Sequence, residues 1–173
     1  MKDIDFDQWI EAYPDFPEPG ILFRDISPLL ASPVGMKLAK EKLCEVISSW
    51  YVNSIAGIDA RGFLFSSLVA DQLGLGSLMI RKPGKLPGEL IDKSYELEYG
   101  KNELSMQKIQ DLKDRNIVIV DDLLATGGTI KCAKDLIESQ GARVVGCVFV
   151  VELLSLHGNK QIDCPVFSLK KYD

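Results

Sequence analysis

The sequence predicts an α/β fold on a mostly parallel, twisted sheet flanked by helices. Three observations carry this. Segments 54–58, 116–120 and 144–151 are apolar almost throughout, the pattern of strands buried on both faces. The first two run through a short turn directly into a helix-length segment closed by glycine. Strand and helix then alternate with short connections, which sets parallel strands side by side. In such sheets ligands bind beyond the carboxyl ends of the strands, so the turns that follow the strands are where function is expected.

The elements follow in order. Asp5 to Tyr13 reads as a short helix, stopped by Pro14, Pro17 and Pro19. Phe16 to Leu30 (FPEPGILFRDISPLL) is too proline-rich for a long helix yet strongly apolar, so it must pack on something or cover something. Ser32-Pro33 opens a helix to about Tyr51, with serine at the cap and proline in the first turn. Leu38, Leu43, Val46, Ile47 and Trp50 supply its apolar face. Ser54 to Ile58 is a strand that passes through Asp59-Ala60-Arg61-Gly62 into a helix from about Phe63 to Leu73, ended by Gly74. Ser77 to Arg81 is a second strand. Lys82 to Lys93 holds three lysines, two prolines and two glycines and reads as an exposed loop. Tyr95 to Tyr99 alternates like a strand. Asn116 to Val120 is a buried strand leading into DDLLATGGT and a helix from about Thr129 to Gln140, stopped by Gly141. Val144 to Val151 is a further buried strand.

Of 173 residues, 46% are hydrophobic and 26% charged, which suits one globular domain and excludes wholesale disorder. A net charge of -5 argues against a nucleic-acid binder working through a broad basic face. No apolar run approaches the roughly 18–20 residues that cross a bilayer. The opening MKDIDFDQW lacks the apolar centre of a signal peptide. The expectation is a cytoplasmic protein with neither nucleic acid nor membrane as partner. Cys44, Cys132, Cys147 and Cys164 are scattered without a CxxC pair and read as reduced packing residues. His157, the single histidine, has no Cys or His nearby in sequence to complete a zinc site and reads as a surface or capping residue.

The strongest chemical signal is VIVDDLLATGGT, Val118 to Thr129. A buried strand delivers Asp121 and Asp122 to the rim of the sheet. A turn of Ala125, Thr126, Gly127, Gly128 and Thr129 then opens into a helix. The glycines let backbone N–H groups approach an anion, the helix N-terminus adds partial positive charge, and the threonines add hydroxyl donors. It is not a Walker loop, because no GK[ST] follows, and no GxGxxG is present. Acids beside a monophosphate cradle suit a sugar phosphate: carboxylates take the ribose hydroxyls and the turn takes the 5′-phosphate. The plain alternative is a strand–turn–helix junction with Asp and Thr as caps.

Six blocks occur in order: FPEPGILFRDISPLL, IAGIDARGFLF, IRKPGKLPG, SYELEYG, VIVDDLLATGGT and VELLSLHG. Together they span nearly the whole chain and resemble the type I phosphoribosyltransferases, in particular the members that act on adenine. The resemblance implies that family's fold over a single domain, 1–173, with a small N-terminal hood (about 1–32) and a flexible flap (about 82–100). It implies transfer of the 5-phosphoribosyl group from phosphoribosyl diphosphate to adenine, giving AMP and pyrophosphate. Mg2+ would be bound mainly through the substrate diphosphate, with no protein-built metal site. It implies a homodimer, in which a basic residue of Arg81, Lys82 and Lys85 reaches the neighbouring site. Asp59, Ala60 and Arg61, with that basic cluster, are implied to hold pyrophosphate. Glu98 and Tyr99 are the implied catalytic flap residues, Glu98 as a proton-transfer candidate. Taken alone, Arg61 could be a helix-start ion pair, the basic cluster a solvated surface and SYELEY an edge strand. Ser66 and Ser67, after GFLF, depart from the small glycine-containing helix turn expected there, which touches packing and not ligand chemistry.

Adenine presents a donor at its amine and an acceptor at N1, and hypoxanthine reverses both. A rigid backbone edge reads that difference without a charged side chain, and the proline-fixed segment Leu22-Phe23-Arg24 is suited to present one. The resemblance implies that Phe23 stacks on the purine and Leu153 faces it from the other side; the bland reading is that both are core. Three rival functions remain: a transferase for a 6-oxopurine, a purine-responsive regulator on the same fold, and a generic phosphosugar-binding protein. The chain has no spare domain for the second, and the third leaves the proline-rich segment unexplained.

Overall fold

The computed structural model describes residues 4–97 and 100–173. A 3-10 turn (Phe6–Trp9) leads into a hairpin of β1 (Glu11–Pro14) and β2 (Leu22–Asp25), paired antiparallel. Helices α1 (Ser27–Ala31) and α2 (Pro33–Ile47) follow, then β3 (Ser54–Ile58), α3 (Gly62–Leu73) and β4 (Gly76–Arg81). An antiparallel pair, β5 (Leu90–Leu97) and β6 (Gly100–Gln107), comes next. The chain continues through β7 (Asn116–Leu124), α4 (Gly128–Ser139) and β8 (Arg143–Leu153) and closes on β9 (Val166–Tyr172). The main sheet runs β5-β6-β4-β3-β7-β8-β9. From β4 to β9 its pairings are parallel, and β5 and β6 attach antiparallel at one edge. The α/β expectation holds.

Burial follows the two-residue period of strands. In β7, Ile117 and Ile119 face a core under α4, with Cys132, Ala133 and Leu136, while Val118 and Val120 face the opposite core with α2 and α3. In β8, Cys147 and Phe149 join the first core, and Val148 and Val150 the second. Helices therefore cover both faces, which is why these strands read as continuous apolar runs. Strand order reverses between β3 and β7, since β4 lies on one side of that pair and β8 on the other. The crevice at such a reversal is where this architecture opens to a ligand. Among the described residues, no helix is long and apolar enough to cross a membrane.

Several boundaries differ from expectation. Asp5 to Tyr13 is not one helix: Asp5 caps a single 3-10 turn, and Glu11–Pro14 is drawn into pairing with β2. The proline-rich segment contains β2 and α1, because no proline falls between Pro19 and Pro28, which leaves Leu22–Asp25 able to pair, and Pro28 sits in the first turn of α1, where its missing N–H is not needed; Asp25 accepts from the Ser27 N–H at 3.0 Å just before that turn. Helix α2 has the expected Ser32 cap, accepting from Gly35 N–H at 3.0 Å, but stops at Ile47 and not Tyr51. There the Ser49 hydroxyl donates to the Val46 carbonyl at 2.6 Å and competes with the helical ladder. The loop expected over Lys82–Lys93 becomes β5 from Leu90 onward. Strands β6 and β9 were not foreseen. The serine at position 66 has a compensation: it is buried, and a Cβ on Gly57 would lie 2.1 Å from its Oγ, so the missing side chain is on the strand instead of the helix.

Candidate functional site

The carboxyl ends of β3, β4, β7 and β8 all point to one rim of the sheet, because the strands joining them are parallel. At the end of β7, Asp121 and Asp122 are buried. The Asp122 N–H donates to Asp121 Oδ1 at 2.9 Å, and Arg61 Nε pairs with Asp122 Oδ2 at 2.8 Å. Burial pushes the Asp121 carboxyl well above the usual carboxylate range, and the neighbouring Asp122 charge pushes it further. Burial also raises Asp122, opposed by the Arg61 guanidinium. The Arg61 side chain is 41% exposed, so its remaining N–H groups can serve an anion. The first residue of α3 explains the tight fit: a Cβ on Gly62 would come within 2.6 Å of Asp121 Oδ1.

The turn after the acids is shaped by close backbone approach. Gly127 has φ +86 and caps α4, whose first turn lines the cleft through Thr129 and Ile130. Behind the turn lies Gly158: a Cβ there would meet the Ala125 carbonyl at 2.1 Å and the Gly127 nitrogen at 2.9 Å. Neither Gly62 nor Gly158 figured among the expected site residues. Their signal was present as glycines inside the GFLF and LHG blocks. Arg61, residues 121–127, Thr129 and Ile130 line an open cleft of about 220 Å³.

Across the rim, Arg81 Nε donates to Asp59 Oδ2 at 3.1 Å, and Lys85 Nζ stands 3.9 Å from the same oxygen. The Arg81 guanidinium also donates to the Lys85 carbonyl at 3.3 Å. The Asp59–Ala60 peptide is cis. Lys82 is exposed. These two ion pairs agree with the bland alternatives as well as with an anion site, since each cation already has a carboxylate partner.

Phe23 connects the hairpin to this rim: its ring centre is 5.9 Å from the Arg61 guanidinium and 5.1 Å from the Phe16 ring, edge to face. Phe16 was not foreseen. Strand β2 is paired on one side only, to β1, and its other edge has no strand neighbour among the described residues. Leu22 is 46% exposed, and Leu153 lies half-buried at the end of β8. The Arg24 side chain turns away to the Tyr172 ring, 3.7 Å from its centre. Glu98 and Tyr99 lie outside the described residues. His157 is exposed in the left-handed region at φ 53, ending one 3-10 turn and opening the next, a capping role as expected. All four cysteines are free, with three buried.

The phosphoribosyl transferase domain model matches residues 29–171. Adenine phosphoribosyltransferase of Mus musculus is 49% identical over 168 residues, covering 95% of this chain and 93% of that one. The solved adenine phosphoribosyltransferase of Thermoanaerobacter pseudethanolicus superposes with a TM-score of 0.93 at 42% identity, over 96% of this chain and 98% of that one. The Saccharomyces cerevisiae enzyme, solved with adenine and an imino-altritol bisphosphate, gives 0.89 at 37% identity, over 95% and 96%. The chain belongs to the phosphoribosyl transferase family and, within it, to the adenine phosphoribosyltransferases.

Proposed function

We propose that this chain salvages adenine, transferring the phosphoribosyl group of phosphoribosyl diphosphate to it and releasing AMP and pyrophosphate. The observation that carries the reading is the cleft at the strand reversal, where two buried acids, a glycine turn opening α4 and Arg61 line one space. Ala125 to Thr129 hold the 5′-phosphate through backbone N–H groups and the helix N-terminus. Asp121 and Asp122 accept from the ribose hydroxyls, which restores hydrogen bonds to carboxylates that burial disfavours as anions. Arg61, the Asp59–Ala60 turn and the Arg81/Lys82/Lys85 cluster face the diphosphate; on binding, its oxygens compete with Asp59 and Asp122 for these cations.

Chemistry forms a bond from adenine N9 to ribose C1 as the bond from C1 to the diphosphate oxygen breaks. Pyrophosphate leaves with the electron pair, and positive charge builds on the ribose ring. The N9 proton must be removed, and Glu98, beside Tyr99, takes that role on the family resemblance that includes the SYELEYG block. Magnesium fits as a passenger of the diphosphate. Among the described residues no group of three or more His, Cys, Asp or Glu side chains is arranged to hold a metal ion. The carboxylate oxygens of Asp121 and Asp122 suit a hard cation that arrives with its own oxygen ligands. The ion supplies charge neutralisation to the leaving group. A homodimer in the cytoplasm completes the reading; Leu64, Leu68 and Met79, exposed on α3 and β4 beside the basic cluster, supply apolar surface for it.

Base choice rests on the outer edge of β2 at Leu22-Phe23-Arg24, with Phe23 and Leu153 on the two faces of the purine. The wrong base leaves buried donors and acceptors unpaired, a discrimination of about 10⁴-fold or more. The test is a product assay with phosphoribosyl diphosphate, magnesium and each common nucleobase. AMP from adenine with very little IMP from hypoxanthine is expected. Comparable specificity constants would remove the adenine assignment and leave only the transferase class.

A further inference from the structure

We infer that Tyr172, in the last strand, is a positioning residue for nucleobase recognition, tying together the two walls that flank the purine. The inference rests on the adenine reading of β2. Three contacts carry it. The Arg24 guanidinium stacks on the Tyr172 ring at 3.7 Å from its centre, and Arg24 follows Phe23 directly on β2. The Tyr172 hydroxyl donates to Asp7 Oδ1 at 2.6 Å, anchoring the ring to the 3-10 turn that precedes the hairpin. Tyr172 is the register partner of Leu153 in the parallel pairing of β9 with β8. One half-buried side chain thus touches the strand that would read the base edge, while its backbone pairs with the residue that would cover the base face.

A two-stranded hairpin has little stability of its own. Strand β2 gains no second strand neighbour from the main sheet. Its angle to the cleft is therefore set by side chains, and the stacked guanidinium is the closest cation–ring contact in the described structure. Guanidinium suits this role, because its planar face stacks while its edge keeps its charge. Burial and the bond to Asp7 hold the phenol well above its ordinary pKa, so it remains a neutral donor across the working range. Lys170 also pairs with Asp7, which fixes the acceptor in place.

The test compares Tyr172→Leu, Tyr172→Phe and Arg24→Gln with wild type in steady-state assays varying adenine and phosphoribosyl diphosphate separately. Tyr172→Leu and Arg24→Gln should each raise the KM for adenine about five-fold, the loss of one stacked cation. The kcat and the KM for phosphoribosyl diphosphate should stay near wild type. Tyr172→Phe, which keeps the ring, should recover most of the loss. The Tyr172→Leu/Arg24→Gln double variant should be no worse than Tyr172→Leu alone, because Arg24→Gln removes a contact that Tyr172→Leu has already removed. Multiplying effects in the double variant, or an unchanged KM for adenine in both single variants, overturns the inference. So does a parallel fall in all kinetic constants with a lowered Tm, which marks a structural residue only. Should Tyr172→Leu fail to fold, Arg24→Gln against Tyr172→Phe decides: an unmoved KM for adenine in Arg24→Gln overturns the inference. Wild type that makes no AMP from adenine overturns the functional reading and this inference together.

Discussion

The two walls proposed for the site, the turn after β7 and the β1–β2 hairpin, are held by different means. The proposed phosphate wall is fixed by main-chain approach: Gly62 lies against Asp121, and Gly158 against Ala125 and Gly127, at separations no side chain could enter. Its acids are buried in the end of a central strand. The proposed nucleobase wall is a two-stranded hairpin with Tyr13, Phe16, Ile21 and Leu22 exposed. It is held by ring and ion contacts to Arg61 and Tyr172. Backbone contact has no slack, whereas side-chain contact yields by degrees. Single substitutions should therefore cause abrupt losses on the first wall and graded ones on the second.

The sharpest break is Gly158→Ala. Its φ is not in the left-handed region, so the effect is steric and not conformational. The added methyl would meet backbone at 2.1 Å, and the turn from Ala125 to Gly127 must move to admit it. Misplacing a binding group by an ångström costs about 10²-fold. That loss should fall on kcat/KM for phosphoribosyl diphosphate, with little change in the KM for adenine. Wild-type kinetics from a folded Gly158→Ala protein would show that the turn does not need its backing.

A second break separates stability from activity within the phosphate wall. Both carboxyls have folded pKa values above the ordinary carboxylate value of 3.8, Asp121 chiefly through burial and then through the Asp122 charge. The folded state thus binds protons more readily than the unfolded chain. Their contribution to stability is fully present below about pH 3.8 and is lost as pH rises through the raised folded values. Asp121→Asn, which imitates the protonated form, should raise Tm at pH 7, with the gain shrinking as pH falls toward 4. The same variant should handle phosphoribosyl diphosphate roughly 10–100-fold less well, the worth of a hydrogen bond to a charged group. A lowered Tm at pH 7 would mean that the carboxylate stabilises the fold.

This contrast also decides what could be read from the sequence. The phosphate wall is local: Val118 to Thr129 runs strand, acids, glycine turn and helix without interruption, and each residue type announces its own geometry. The parallel sheet was legible for the same reason, since strands buried on both faces are apolar at every position. Strand β9 was not, because Val166–Tyr172 mixes apolar residues with lysines and serine and depends on pairing with β8 across the 12 residues between Leu153 and Val166. Strand β1 was misread as helix because its only partner, β2, lies beyond a proline-rich turn. Arg24 could be placed on a purine-reading strand from its segment, yet nothing local indicated that its side chain would reach Tyr172. Contacts across the length of the chain leave no periodic trace.

The smallest expected effect is at Phe16. Its ring meets Phe23 edge to face at 5.1 Å and an angle of 78°, while Phe16 itself is 54% exposed. On the other side Phe23 faces Arg61 at 5.9 Å, so Phe16 completes a row from the hairpin tip to the rim. An aromatic pair adds about 0.5–1.5 kcal/mol beyond area burial, which converts to roughly 2–10-fold. Because Phe16 is half solvated, Phe16→Ala should lie at the low end, raising the KM for adenine about two- to three-fold. Phe16→Leu keeps apolar area but loses the edge-to-face geometry, and should fall between Phe16→Ala and wild type. The KM for phosphoribosyl diphosphate should not move, because no step of this row touches the glycine turn. Movement of that constant in place of the adenine one would mean that the hairpin acts through Arg61, and the two walls would then be one mechanical unit.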